Sequence, residues 1–254
     1  MREMPPADYP GCPVTVPAAI EEGQTLRVPR WGLWDVPVML IAAAVFTVIA
    51  GVLLAAVNAP FGISLIIGGS AGWLGLAGWP LLVTKLRGNG PRIDLGLRLT
   101  WSDVRWGVGA GICALVVGTI VSGITIAIFG DFNSAAGEAA QEIVDEGSRP
   151  LLIAFGFMIL VGAPIAEEVA FRGLLFAGLR KRGFGSVITV LISATAFALF
   201  HFEPVRFAVL LSIGLVLGLT RAKTGSLGAS IIAHGVNNAP GALFLIFGLP
   251  GMTP

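Results

Sequence analysis

The sequence predicts an all-α polytopic membrane protein, a bundle of about seven transmembrane helices. The chain has 254 residues, of which 55% are hydrophobic and 12% are charged, and its mean hydropathy is +0.87. Soluble domains carry about 25% charged residues, so this composition excludes an ordinary soluble protein. The hydrophobic residues form uncharged blocks of about 20 residues, the length that crosses a bilayer as a helix. The blocks are too long for membrane β-strands and lack their alternation.

The first 35 residues are predicted to form a flexible cytoplasmic tail. Prolines recur there among scattered charges, and no apolar run forms a signal-peptide core. Cys12 lies in this tail, whereas Cys113 lies in an apolar block. We therefore expect neither a disulfide nor a cysteine metal site.

Seven apolar segments follow, and residues 36–254 are expected to form the membrane-embedded domain. The segments cover approximately 36–57, 61–84, 106–129, 150–171, 186–202, 204–220 and 226–247. Segment 204–220 is short for a span, but the side chain of Arg206 can snorkel and extend it.

The charges between these segments predict the orientation of the bundle. Basic residues fill three connections that fall on one side, namely Lys85, Arg87, Arg92, Arg98, Arg105, Arg180, Lys181, Arg182, Arg221 and Lys223. The connection 130–149 is mainly acidic, with Arg149 as its one basic residue. Because basic loops stay in the cytoplasm, we expect a multi-pass protein of the cell membrane with a cytoplasmic amino terminus and an external carboxyl terminus. Such short basic loops give no footprint for a nucleic-acid partner.

Five polar residues stand out inside the apolar segments: Glu167, Glu168, His201, His234 and Asn238. Ionisable groups at this depth cost several kcal/mol each, and they are rare and usually functional. The set includes both histidines of the chain.

The two acids begin the run EEVAFRG. Glu168 and Arg172 are four residues apart in the order that favours an ion pair on a helix. Glu167 points about 100° away, so Arg172 can hold Glu168 ionised while Glu167 takes a proton from water. A buried ion pair that only fixes helix packing explains Glu168 and Arg172 equally well, but it leaves Glu167 without a role.

The histidines are less informative one by one. His201 ends the run FALFH, and a single histidine near a helix end is often an interfacial anchor. His234 and Asn238 lie one turn apart and can converge on one small object, with Asn237 as the neighbouring alternative. Interhelical hydrogen bonding also explains this pair.

Together, a carboxylate, two imidazoles and a carboxamide on three helices are the kinds of group that catalyse hydrolysis. Carboxylates and histidines activate water directly or through a divalent metal, and an amide N–H stabilises an oxyanion. Ser193 lies about two helical turns from His201, too far to be its nucleophile.

These motifs resemble the CPBP family of intramembrane proteases (CAAX protease and bacteriocin-processing, or Abi), which includes the type II CAAX prenyl endopeptidases. The resemblance covers about 150–247, with EEVAFRG for EExxxR, FALFH for FxxxH and HGVNN for HxxxN. It implies a membrane protease whose site residues are Glu167, Glu168, Arg172, His201, His234 and Asn238. Glu167 would be the water-activating base.

Members of this family have been described both as metalloproteases and as glutamate-dependent proteases, so the resemblance implies zinc as an alternative. Glu167, His201 and His234 would then form an open three-ligand site. The HExxH spacing of common zinc proteases is absent.

The expected function is therefore an intramembrane endopeptidase that acts on a membrane-associated peptide or protein. A proton-coupled transporter that uses the same buried groups is the first rival, and a noncatalytic membrane immunity factor is the second. Helical rise from the basic loops places His234 roughly 12 Å deep, Glu167 roughly 20 Å and His201 roughly 24 Å. A tilt, or a break at Gly162 and Pro164, is needed to bring them level.

Overall fold

The computed structural model describes residues 15–248, and within them it contains helices and no β-strand. The helices are α1 Thr15–Glu21, α2 Asp35–Ala56, α3 Phe61–Trp73, α4 Trp79–Arg87, α5 Pro91–Asp94, α6 Trp101–Phe129, α7 Ala135–Asp145, α8 Arg149–Phe157, α9 Ala163–Glu168, α10 Phe176–Lys181, α11 Ser186–Phe200, α12 Phe207–Thr224 and α13 Leu227–Phe247. Three π-helical segments continue neighbouring α-helices: π1 Leu74–Gly78, π2 Met158–Gly162 and π3 Val169–Leu175. The all-α fold class is confirmed.

The described residues include 6 helices that are long and apolar enough to cross a membrane. These are Asp35–Ala56, Phe61–Arg87, Trp101–Phe129, Arg149–Lys181, Phe207–Thr224 and Leu227–Phe247. The fifth predicted segment, 186–202, is the shorter apolar helix α11, which has 15 residues and is followed by His201. Large apolar side chains such as Ile41, Val52 and Ile120 are exposed along α2 and α6, as expected for surfaces that face lipid. The protein is thus a multi-pass membrane protein.

Several predicted helix ends are corrected by the structure. The fourth span runs from Arg149 to Lys181, so Arg180 and Lys181 lie in the last turn of a helix and not in a loop. Arg221 and Lys223 likewise lie in the last turn of α12. Basic side chains are favourable at helix carboxyl ends, where backbone carbonyls lack partners, and this explains the extra turns.

The acidic connection 130–149 is also ordered, because it contains α7. The Ser134 side chain accepts a hydrogen bond from the Gly137 backbone and caps this helix. Ile143 is buried on its inner face, whereas Glu138 and Glu142 are exposed. α7 is therefore an amphipathic helix that rests on the bundle.

Part of the segment predicted as a tail packs against the bundle. Cys12 and the rest of residues 1–14 lie outside the described residues. Trp31 is 1% exposed and donates a hydrogen bond from its indole to Asp94, and the Lys181 ammonium donates to the carbonyls of Pro29 and Trp31. These contacts anchor the stretch before α2, which corrects the expectation that all of 1–35 is flexible.

Close helix packing holds α13, the helix that carries His234, against α6. The small residues Gly107 and Gly111 are spaced as in a GxxxG motif, which lets two membrane helices approach closely. A Cβ at Gly111 would lie 2.5 Å from the Val236 Cβ and 2.7 Å from the Ala233 carbonyl oxygen. The glycines therefore allow α13 to lie in direct contact with the backbone of α6.

Candidate active site

The two acids lie on α9, between two π-helical segments of one long helix. Pro164 lies in the first turn of α9 and has no N–H to donate to the carbonyl one turn earlier. The segment before it is π2, one of the recognised ways in which a helix absorbs such a defect. Where the sequence predicted a tilt or a break, the chain thus forms a π turn that changes the rotation of α9.

Side chains from neighbouring helices hold the second π segment in place. The Ser193 hydroxyl donates to the Phe171 carbonyl at 3.0 Å, and Arg221 Nε donates to the Arg172 carbonyl at 3.0 Å. The Arg221 side chain also donates to the Leu95 carbonyl. Ser193 therefore has a structural bond to π3, and Arg221 lies inside the bundle at 4% exposure.

Glu168 and Arg172 form the ion pair that their spacing predicts. Arg172 Nη1 donates to Glu168 Oε1 at 2.9 Å, and both side chains are 0% exposed. Arg172 Nη2 donates to the Gly214 carbonyl at 2.9 Å, and the guanidinium lies 4.4 Å from the centre of the Phe197 ring. Glu168 Oε1 also accepts a hydrogen bond from His234 Nδ1 at 3.1 Å. The pair thus connects π3 to α12, α11 and α13.

Glu167 points away from that pair, as the helical repeat predicts. Its Oε2 atom is buried and has no hydrogen-bond partner among the described residues. The same atom lies 3.9 Å from His201 Nε2 and 3.9 Å from His234 Nε2. Three groups from three helices therefore converge on one point.

The partners of the two imidazoles define which nitrogens face Glu167. His201 Nδ1 lies 2.8 Å from the Phe197 carbonyl, which can only accept, so Nδ1 carries a proton. His234 Nδ1 donates to the Glu168 carboxylate for the same reason. The Phe197 ring packs edge-on against both imidazoles, at 4.7 Å from His201 and 5.6 Å from His234. Both Nε2 atoms are thereby held towards Glu167.

This donor set resembles a zinc site in its chemistry. Each imidazole donates its other N–H to a carboxylate or carbonyl, which is the arrangement that orients histidine ligands of metals. Tetrahedral zinc places its ligand atoms roughly 3.3–3.5 Å apart, so the 3.9 Å separations would have to contract by about half an ångström. Within 15–248, no group of three or more His, Cys, Asp or Glu side chains is gathered closely enough to hold a metal ion.

The two asparagines of HGVNN form a short chain of hydrogen bonds. Asn238 Nδ2 donates to the Ile159 carbonyl at 3.1 Å, and Asn237 Nδ2 donates to Asn238 Oδ1 at 3.1 Å. Ile159 lies in π2, so Asn238 satisfies a carbonyl of that irregular segment. An amide nitrogen has two hydrogens, which leaves one on each asparagine for another acceptor.

Comparison with protein-family models identifies the region that contains these groups. Residues 149–240 match the model described as type II CAAX prenyl endopeptidase Rce1-like. We call these residues, which are similar to that family, the Rce1-like region. The match confirms the resemblance to the CAAX proteases and implies a protease of that general type. No match was found among curated proteins or among solved structures.

The Rce1-like region borders a cavity of about 1080 Å³. Glu167, His201, His234, Asn237 and Asn238 all line it. These five polar side chains are therefore accessible from one space, whereas Glu168, Arg172, Ser193 and Arg221 do not line it. The Glu168–Arg172 pair instead lies behind His234.

Two residues of this region were not anticipated as part of the arrangement. Arg221 was assigned to a basic connection, and Ser193 was considered only as a nucleophile. Both side chains donate hydrogen bonds to carbonyls of π3. The one sequence signal for such a structural role was the presence of a polar residue inside an otherwise apolar helix. The partner of such a residue depends on a π segment that hydropathy does not reveal.

Proposed function

We propose that this protein is an intramembrane endopeptidase that hydrolyses a peptide bond of a membrane-associated peptide or protein. The observation that supports this function best is the position of Glu167. Its buried carboxylate oxygen has no hydrogen-bond partner among the described residues, and it lies 3.9 Å from two imidazole nitrogens on the wall of a cavity. Burying such a group without a partner is costly, which favours a role in binding water and substrate.

In the proposed reaction, Glu167 is the general base. A water that makes hydrogen bonds of about 2.8 Å bridges atoms roughly 4–4.5 Å apart, close to the observed 3.9 Å. Glu167 takes a proton from this water while the water oxygen attacks the carbonyl carbon of the scissile bond. The C–N bond then breaks as the protonated Glu167 returns the proton to the leaving amine. The Nε2 atom of one imidazole accepts the second hydrogen of the water and orients it, and Glu168 orients His234.

The negative charge that develops on the carbonyl oxygen requires hydrogen-bond donors. The second amide hydrogen of Asn238 is such a donor, because its first hydrogen holds the Ile159 carbonyl and fixes the side chain. Asn237 orients Asn238 from the other side through the Asn238 carbonyl oxygen.

Zinc is the alternative to direct carboxylate catalysis. Glu167, His201 and His234 would hold the ion, which would polarise the scissile carbonyl as a Lewis acid. Metal analysis of the purified, chelator-treated protein separates the two versions. Full activity without stoichiometric metal supports the carboxylate version, whereas activity that is lost with the metal and restored by zinc supports the metal version.

The decisive experiment compares Glu167→Gln with wild type. Membranes from cells that carry either form are analysed for new peptide amino termini, and Glu142→Gln, an exposed acid outside the cavity, is the matched control. We expect fragments that appear with wild type and Glu142→Gln and are absent with Glu167→Gln. The same fragments in all three strains would contradict the proposal and favour a noncatalytic role. A substrate gradient that depends on Glu167, without fragments, would favour the transporter.

A further inference from the structure

The cavity that Glu167 lines extends towards only one end of the bundle. Besides the site residues, its wall is made by α7 and by the ends of α8 and α13 that lie beside α7; these residues include Ser134, Ala136, Gly137, Ala140, Val144 and Gly248. Within the described part of the chain, no residue before Ser134 and none from 180–186 or 221–227 lines it. The space is therefore reached from the α7 end.

The course of the chain identifies the opposite end. α8 begins at Arg149 near α7, and the same long helix finishes at Lys181. α13 starts where the Leu227 backbone bonds to the Gly96 carbonyl, and it ends where Arg149 donates to the carbonyls of Leu245 and Ile246. The end of the bundle away from α7 is thus formed by the loops around Gly96 and the turn after Lys181.

The two ends differ in charge. The end away from α7 carries the basic residues Lys85, Arg87, Arg92, Arg98, Arg105, Arg180, Lys181, Arg182, Arg221 and Lys223. The α7 end carries the acids Asp131, Glu138, Glu142, Asp145, Glu146 and Glu203, and its basic residues are Arg149 and Arg206. Arg206 is already paired with Glu203 at 2.7 Å. Basic ends of membrane bundles stay in the cytoplasm, whereas acidic residues contribute little to orientation.

We propose that the catalytic cavity opens to the external side of the membrane, and that its substrate is an apolar, extended segment presented from that side. This inference rests on the proposed function for its chemistry, but the direction of access follows from the cavity and the charges. A lipid-modified tail at the cytoplasmic surface would face the closed, basic end. The substrate is instead an external peptide or the external end of a membrane protein.

The surface that α7 turns to the cavity supports this class of substrate. Ala136, Gly137, Ala140 and Val144 present small or apolar groups, whereas the exposed acids Glu138 and Glu142 are not part of the lining. Small side chains leave room for an extended peptide backbone, and apolar walls favour an apolar segment.

Cysteine labelling in intact cells tests the direction of access. In a background with Cys12→Ser and Cys113→Ala, single cysteines replace Ala163 beside Glu167, Gln141 at the cavity mouth, and Phe184 in the turn after α10. A small, charged, membrane-impermeant thiol reagent is added outside. We expect Gln141→Cys and Ala163→Cys to react and Phe184→Cys to react only in inverted vesicles. Reaction of Phe184→Cys from outside, or protection of Gln141→Cys in intact cells, overturns the proposal.

The positions of the cleaved bonds provide a second test of the direction of access. Fragments that depend on Glu167 are mapped on the topology of the proteins from which they come. We expect the cleaved bonds at or beyond the external surface, and cleavage at cytoplasmic ends would overturn the proposal. If no such fragments exist, the proposed protease activity fails. The labelling pattern then still decides the direction of access.

Discussion

Glu168 and Arg172 form an ion pair in which neither side chain has exposed surface. Removing one partner of such a pair leaves an uncompensated buried charge, which costs about 3–5 kcal/mol. Arg172 also donates to the Gly214 carbonyl, so its loss removes one of the hydrogen bonds between π3 and α12. Arg172→Ala is therefore expected to lower both the folded yield and the activity.

Arg206→Ala is the control for this prediction, because its partner Glu203 forms a partly exposed pair. Such pairs contribute about 0–1 kcal/mol, so the folded yield is expected to stay near wild type. Size-exclusion chromatography in detergent measures the yield. A normal yield and normal cleavage in Arg172→Ala would remove Arg172 from the site.

The proposed mechanism gives Asn238 a catalytic role in addition to its hydrogen bond to Ile159, and two measurements on one substitution separate the two. Loss of an oxyanion donor lowers kcat by about 100- to 1000-fold, whereas loss of the bond to Ile159 lowers stability by about 1–3 kcal/mol. Asn238→Ala is expected to do both, and Asn237→Ala, which removes only the group that orients Asn238, is expected to have a smaller effect on kcat. The rate at which an identified fragment forms measures the effect on kcat, and thermal unfolding in detergent measures the effect on stability. A drop in unfolding temperature with unchanged kcat would make Asn238 purely structural.

Among the helices, the contact between α6 and α13 depends on glycines without space for a side chain. Cβ atoms at Gly107 and Gly111 would lie within 2.8 Å of α13, whereas a Cβ at Gly109 would meet nothing within 4 Å. Overpacking of a tight contact costs about 1–3 kcal/mol. Gly111→Ala is expected to lower the thermal stability and to shift His234 relative to Glu167, with loss of activity.

Gly109→Ala is the matched control, since it makes the same chemical change on the open face of the same helix. It is expected to leave stability unchanged or slightly higher, because alanine is a better helix former than glycine. Thermal unfolding in detergent compares the two variants. Equal stability of Gly111→Ala and Gly109→Ala would show that the two helices separate without cost.

For the whole molecule, hydropathy was sufficient to predict the fold class and the approximate spans, because lipid requires long apolar helices. The rarity of polar residues in such spans identified Glu167, Glu168, Arg172 and His234 as candidate site residues before any contact was known. The helical repeat also predicted that Glu167 and Glu168 point in different directions, as they do. These properties depend on residue type and local geometry alone.

The remaining features depend on contacts between distant parts of the chain. The helical rise placed His234 and His201 at different depths, but α13 begins at Leu227 inside the bundle, where its backbone bonds to the Gly96 carbonyl. The π segments on either side of α9 then change its rotation. Trp31 was assigned to a flexible tail because its partner, Asp94, is 63 residues away. No local pattern in the sequence contains that information.

α7 is held over the cavity by few bonds, and this has a consequence for timing. The Ala135 backbone donates to Glu203 at one end of α7, and the Gly62 backbone donates to Glu146 just beyond the other end. α7 also buries Ala140 and Ile143 against α8, but short amphipathic segments with few polar anchors undock more readily than core helices, on timescales of about microseconds to milliseconds. α7 forms one wall of the cavity, so a polypeptide that enters only when α7 undocks would have to wait for that motion. The frequency of undocking would then set the pace of the enzyme, so changes in these two carboxylates would alter how often bonds are cut without altering which bonds are cut.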